Sequence, residues 1–261
     1  QQVSSNIADP IVITNFDFGD GSARPNGDAL PFQHFGTEQG LRSLDAYCVS
    51  EDLQGFIWVG TRNGLSRFDG VQFVEPAFVA ERDALIAARE AVQTLLRDRR
   101  GKLWFGVEGR GLYQLDPSTF ELKRIAGYQD DIWALSEDAQ GDVWIGTYKG
   151  GLHRAGADGR SLKQYRHNPD VADSLCGDSI LAMKWLREDL LAIGTLDGGV
   201  CTLEPSTGRF ARLPADPSGA LDNFSALAFA SDAHGSLLIG GSDGLIRVDA
   251  QTQIATLYQA N

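Results

Sequence analysis

A phrase recurs five times along this chain: an Asp-x-x-Gly turn (in all but the fourth copy), a short apolar run, then Gly-Thr-x-x-Gly-Leu or a near variant. The copies span 52–65, 98–112, 138–152, 188–200 and 232–245. The glycine that closes each apolar run is Gly60, Gly106, Gly146, Gly194 and Gly240, at intervals of 46, 40, 48 and 46 residues. Self-similarity at such a period means a solenoid, a propeller or an array, because one unit cannot bury its apolar face alone.

Each copy carries strand signals and turn chemistry. In the first, Ala46–Ser50, Phe56–Thr61, Leu65–Phe68 and Val71–Val74 read as short strands. Asp52–Gly55, Arg62–Gly64 and Asp69-Gly70 supply the turns. Four antiparallel strands per ~40–45 residues are the blade of a β-propeller. Helical repeats need amphipathic helices, which these segments lack, and leucine-rich repeats are shorter. The fold class is therefore all-β, with five blade equivalents at about 32–75, 91–125, 131–165, 179–213 and 225–258. Residues 1–31 form an N-terminal extension. Within it, IVITNFDF (11–18) is a possible strand and GDGSARPNGD (19–28) a loop. FQHF (32–35) reads as a further strand. The fifth copy already supplies four strands of its own, so this strand has no blade to complete. A native ring of more blades, seven in our reading, is expected. The alternative is a small closed ring with FQHF capping an edge.

Trp58, Trp104 and Trp144 share one slot on the second strand, in register with the glycines. We read them, with Gly60, Gly106, Gly146, Gly194 and Gly240, as packing between neighbouring blades. The slot passes to Ala192 and Leu238 in the last two copies, where interfaces should be less filled or filled from elsewhere. The segment 76–90 is rich in helix formers and is expected to make a short helix on the rim, while 167–179 is a long polar loop.

The motif Asp-x-x-Gly-x-x-Trp-x-Gly-Thr-x-x-Gly-Leu resembles the two-component regulator propeller repeat. The connecting segments 32–52, 167–180 and 216–229 are similar to that family's blade entries and linkers. Val107 and Gly241 depart from the motif at the Thr. The resemblance covers 32–261 and implies the periplasmic sensor region of an inner-membrane histidine kinase or diguanylate cyclase. The catalytic output and the membrane span would then lie in segments outside this sequence. It also implies a homodimer in the full-length receptor. A propeller lyase or glycosidase, and a protein–protein scaffold, are the alternatives.

Composition narrows the choice. The net charge of −12 opposes binding to nucleic-acid phosphates, which needs a basic face, and to anionic membranes. No apolar run approaches the ~18 residues of a membrane span. The start at Gln1 fits either a mature chain or a trimmed one. Three cysteines, Cys48, Cys176 and Cys201, give no disulfide framework, and buried thiols are expected at Cys48 and Cys201. His34, His153, His167 and His234 are scattered without metal-ligand spacing, so no metal, cofactor or catalytic residue is assigned. The candidate ligand site is the set of turns between second and third strands. They carry Arg62, Asn63, Glu108, Arg110, Tyr148, Lys149, Asp197 and Asp243: unlike chemistry at equivalent positions, which suits recognition. The expected ligand is a carbohydrate or another small molecule; for a sugar or anionic oligosaccharide, Tyr148 would stack on a ring and Arg62 and Arg110 would fork a carboxylate.

Overall fold

The computed structural model describes residues 34–80, 89–213, 221, 224–252 and 254–259, and the backbone of 11–12. It is an arc of five four-stranded antiparallel blades. Blade one holds β2 (Ala46–Glu51), β3 (Ile57–Thr61), β4 (Gly64–Phe68) and β5 (Phe73–Val74). Blade two holds β6 (Val92–Arg97), β7 (Leu103–Val107), β8 (Gly111–Leu115) and β9 (Leu122–Arg124). Blade three is β10 (Ile132–Glu137), β11 (Val143–Thr147), β12 (Leu152–Ala155) and β13 (Ser161–Tyr165). Blade four is β14 (Ile180–Arg187), β15 (Leu190–Thr195), β16 (Val200–Glu204) and β17 (Arg209–Arg212). Blade five is β18 (Ala226–Ser231), β19 (Leu237–Gly241), β20 (Gly244–Val248) and β21 (Ala255–Tyr258). A two-residue strand from the N-terminal region, β1 (Ile11–Val12), pairs antiparallel with the inner edge of β2. Among the described residues no helix is long and apolar enough to cross a membrane.

The repeated phrase is a physical unit. In the first three blades the aspartate of Asp-x-x-Gly is buried (Asp52, Asp98, Asp138). One carboxylate oxygen accepts two backbone N–H groups of its own turn. The other accepts the indole N–H of Trp58, Trp104 or Trp144 at 2.8, 2.9 and 3.0 Å. The turn thus satisfies the polar end of a tryptophan whose apolar body is fully buried. Blade five keeps the aspartate and replaces the tryptophan. Arg247, facing Leu238 across the ladder, donates to Asp232 at 3.1 Å, to Ser236 at 2.7 Å and to Asp249 at 3.2 Å.

Successive blades meet along their inner strands: β2 on β6, β6 on β10, β10 on β14 and β14 on β18. Trp58 clusters with Leu103, Leu115 and Leu122 of blade two. Trp104 clusters with Ile132 and Ile145 of blade three, and Trp144 with Met183, Leu191 and Leu203 of blade four. Among the described residues no comparable contact returns from blade five to blade one.

The strand glycines show the reason for their spacing. A Cβ on Gly60 would stand 2.7 Å from the Val92 carbonyl oxygen, and one on Gly106 would stand 2.6 Å from that of Ile132. A Cβ on Gly146 would meet Ile180 Cγ2 at 2.6 Å, and one on Gly194 the Ala226 carbonyl oxygen at 2.7 Å. Each glycine is the seat for the first residue of the next blade's inner strand. Among the described residues, nothing lies within 4 Å of a Cβ placed on Gly240. Gly106→Ala is expected to cost about 1–3 kcal/mol through overpacking, and Gly240→Ala to stay within about 0.5 kcal/mol. Urea unfolding of the two variants checks this, and equal losses would contradict it.

Three expectations change. Cys201 is not a thiol: it is bonded to Cys176, which ties the 167–179 loop to β16, and only Cys48 is free. The bond joins segments far apart in the blade pattern, so pairing could not be read from an odd cysteine count. His34 and Phe35 are not in a strand. Phe35 instead packs edge-on against Phe68, with centroids 4.7 Å apart, and lies 6.4 Å from Phe73; burying that ring on the outer strands outweighs edge pairing. In the segment 76–90, Val79 bridges to Glu121 in parallel, and 76–80 and 89–90 are not helical; residues 81–88 lie outside the described set. Phe78 and Ala80 pack on the blade one–two core, so apolar contact holds the described start of the segment out of a helix. The loop at 19–28 also lies outside the described residues.

Candidate functional site

The turns between the second and third strands of all blades lie at one end of the arc, next to the start of each inner strand. The backbone N–H of the first turn residue is bonded to the segment entering the same blade: Arg62 to Asp45, Glu108 to Ala91, Tyr148 to Asp131 and Leu196 to Ser179, all at 2.9–3.0 Å. Where the motif keeps its threonine, Thr61, Thr147 and Thr195 donate to the carbonyls of Gly64, Gly151 and Gly199. Those glycines sit at φ of 107°, 79° and 72°, which side-chain-bearing residues rarely adopt. The turn skeleton is thus fixed by the repeat, and the remaining turn positions are free to vary.

The varied residues are not equally available. Arg110 forms a two-pronged pair with Glu90, its Nε on one carboxylate oxygen and a terminal nitrogen 2.6 Å from the other. That hydrogen-bonded pair holds the Glu90 carboxyl below its ordinary range. Arg62 stands 3.7 Å from Asp45, and the Asn63 amide donates to the Arg42 carbonyl at 3.2 Å. Glu108, Asp197 and Asp243 are exposed. Tyr148 lies flat on Trp133, centroids 4.8 Å apart and planes 15° apart. Lys149, held at φ 66°, places Nζ 4.7 Å from the Tyr148 ring centroid. The arrangement differs from the expected one at both ends: the arginine fork of Arg110 faces a carboxylate of the protein itself, and Tyr148 is already engaged by an indole and an ammonium.

A second tier beneath the turns was missed in the sequence. Every inner strand carries a β-bulge one residue after its start, where two residues oppose one on the partner strand. The unpaired residues are Tyr47, Gln93, Trp133, Leu181 and Leu227. Bulges re-aim side chains and are frequent beside binding sites. The signal was present as a spacing: each lies 13 residues before the strand glycine of its blade. The tier runs from polar, at Tyr47 and Gln93, to apolar, at Leu181 and Leu227.

His153 on β12 is buried, with Nε2 lacking a hydrogen-bond partner. Desolvation is the main cause holding its pKa below the ordinary histidine value, so the ring is neutral at pH 7. At the opposite end of blade five, a shallow cleft of about 270 Å³ is lined by His234, Ser236, Arg247, Asp249, Ala250 and Gln251, remote from the turns along β19. Among the described residues no group of three or more His, Cys, Asp or Glu is placed to hold a metal ion.

Residues 129–149 match the family model described as two component regulator propeller. No protein of curated function matches the sequence. Two solved structures similar to this chain are extracellular domains described as parts of hybrid two component systems from B. thetaiotaomicron. One is 22% identical, with TM-score 0.70 over 86% of this chain and 31% of that one. The other is 17% identical, with TM-score 0.70 over 85% of this chain and 28% of that one. The chain thus spans about a third of the length of these structures. Virginiamycin B lyase from Staphylococcus aureus is similar at 14% identity and TM-score 0.59, over 81% of this chain and 68% of the lyase.

Proposed function

We propose that this chain, which carries the two component regulator propeller repeat, is a ligand-binding input region of a bacterial transmembrane signalling protein, working in the periplasm. The observation that carries this reading is the contrast at the turn end of the arc. Five structurally equivalent turns above five equivalent bulges present non-equivalent chemistry. A rigid frame with varied polar tips is how loops on a scaffold recognise ligands. The disulfide agrees with a compartment outside the cytoplasm, where such bonds persist. The output, a histidine kinase or a diguanylate cyclase, would be supplied by other segments of the receptor, in a dimer.

The likeness to virginiamycin B lyase supports a second reading, a propeller lyase. One experiment separates the two. The protein is mixed with a panel of neutral and uronic-acid oligosaccharides; its melting temperature is followed, and each sugar is recovered for mass analysis. The input-domain reading expects stabilisation with the sugar unchanged; a ligand at 100 times its Kd adds about 2.7 kcal/mol. Release of unsaturated fragments would make the chain a lyase. No stabilisation by any sugar would remove the carbohydrate reading.

A further inference from the structure

We propose that Trp133 is the ligand-stacking residue of this site and that it selects a neutral sugar ring over an acidic one. This rests on the ligand-binding reading above and deepens it. Trp133 is the unpaired residue of the β10 bulge, half-buried and stacked on Tyr148. Tyr148 in turn carries the Lys149 ammonium near its ring. The turn residue therefore acts as a brace: it fixes the indole plane at the inner rim of the arc. An aromatic plane held this way offers its face to the C–H face of a pyranose.

The indole also brings a polar handle. Trp133 Nε1 is shielded from solvent and has no acceptor among the described residues, whereas the three packing tryptophans each donate to an aspartate. A buried donor without an acceptor costs free energy, and a ligand hydroxyl oxygen would relieve it once the indole turns Nε1 outward.

Charge decides between sugar classes. A uronic acid needs a free guanidinium fork. Arg110 has its fork on Glu90, and Arg62 lies beside Asp45. The exposed turn acids Glu108, Asp197 and Asp243 accept hydrogen bonds from hydroxyls and repel a carboxylate. The bulge residues of the next two inner strands, Leu181 and Leu227, carry no charge.

The test is calorimetric titration of the protein with neutral gluco-, galacto-, manno- and xylo-oligosaccharides of four to six units, and with oligogalacturonates of the same lengths. Trp133→Ala, Trp133→Phe, Tyr148→Ala and Arg110→Ala are compared with the parent, each first checked for an unchanged melting temperature. A neutral sugar is expected to bind. Trp133→Ala should weaken it about 10-fold and Tyr148→Ala about 2- to 5-fold, since stacking contributes on this scale. Trp133→Phe should recover part of the loss, and Arg110→Ala should change affinity less than about 3-fold. Neutral-sugar binding that ignores Trp133→Ala would overturn the assignment and leave the input-domain reading standing. Tight oligogalacturonate binding lost in Arg110→Ala would overturn the neutral preference. Absence of binding by every sugar would overturn both this inference and the carbohydrate reading beneath it.

Discussion

Trp104→Ala is expected to lower the stability of the arc by about 3–5 kcal/mol, the range for deleting a fully buried aromatic. Trp104 has no exposed surface, and it fills the joint between blades two and three with Ile132 and Ile145. The deletion also strips the buried Asp98 of its indole donor, leaving a carboxylate oxygen unpaired in a dry place. Repeat stability is close to a sum of unit and neighbour-interface contributions. A weakened joint should therefore divide the single urea transition into two, with blades one and two parting from blades three to five. Trp104→Phe retains most of the volume and should lose less. A loss under about 1 kcal/mol, or an unsplit transition at the same midpoint, would show that this joint is not held by the indole.

Reduction of the Cys176–Cys201 bond is expected to cost about 3 kcal/mol, from the chain entropy released by opening a loop of this size. The sequence separation is 25 residues, and both sulfurs are buried, so reduction should proceed only through opening of blade four. The remaining thiol, Cys48, is buried and its pKa is pushed up to about 12 by desolvation, which leaves it protonated and unreactive in the folded protein. The checks are urea midpoints with and without reductant, the Cys176→Ala/Cys201→Ala double variant, and thiol counting. Unreduced, denatured protein should release one thiol and reduced protein three. Three thiols without reductant would refute the bond.

The repeat made the blades legible because its constraints are local. A strand glycine, a turn glycine and a threonine each act within a few residues, so the phrase reports them directly. The Asp–Trp bond was in the same phrase, six residues apart, but a spacing does not reveal which buried donor meets which acceptor. Phe35 misled because its partner, Phe68, is distant in sequence, and tertiary contact overrode strand propensity; Val79, at the start of the segment read as helical, is likewise held by distant Glu121. The candidate turns were legible as positions. That Arg110 is spent on Glu90, and that Tyr148 leans on Trp133, depends on which side chains of one blade's entering segment and turn face each other, and a spacing does not record that.

Gly240 carries the last consequence. In the four other copies the glycine is pressed by the strand that follows it; here no described residue fills the seat. Among the described residues blades two to four pack on both flanks and blades one and five on one, so amide exchange in this chain is expected to quicken toward the two outer blades. Asp243 and Leu227 ride on blade five, at the rim of the same site. Whatever comes to rest against Gly240 would damp their motion and change what ligand binding must order. In the ligand-binding reading proposed above, the Gly240 seat is then a point at which an event at the edge of the arc would be felt at the candidate turns.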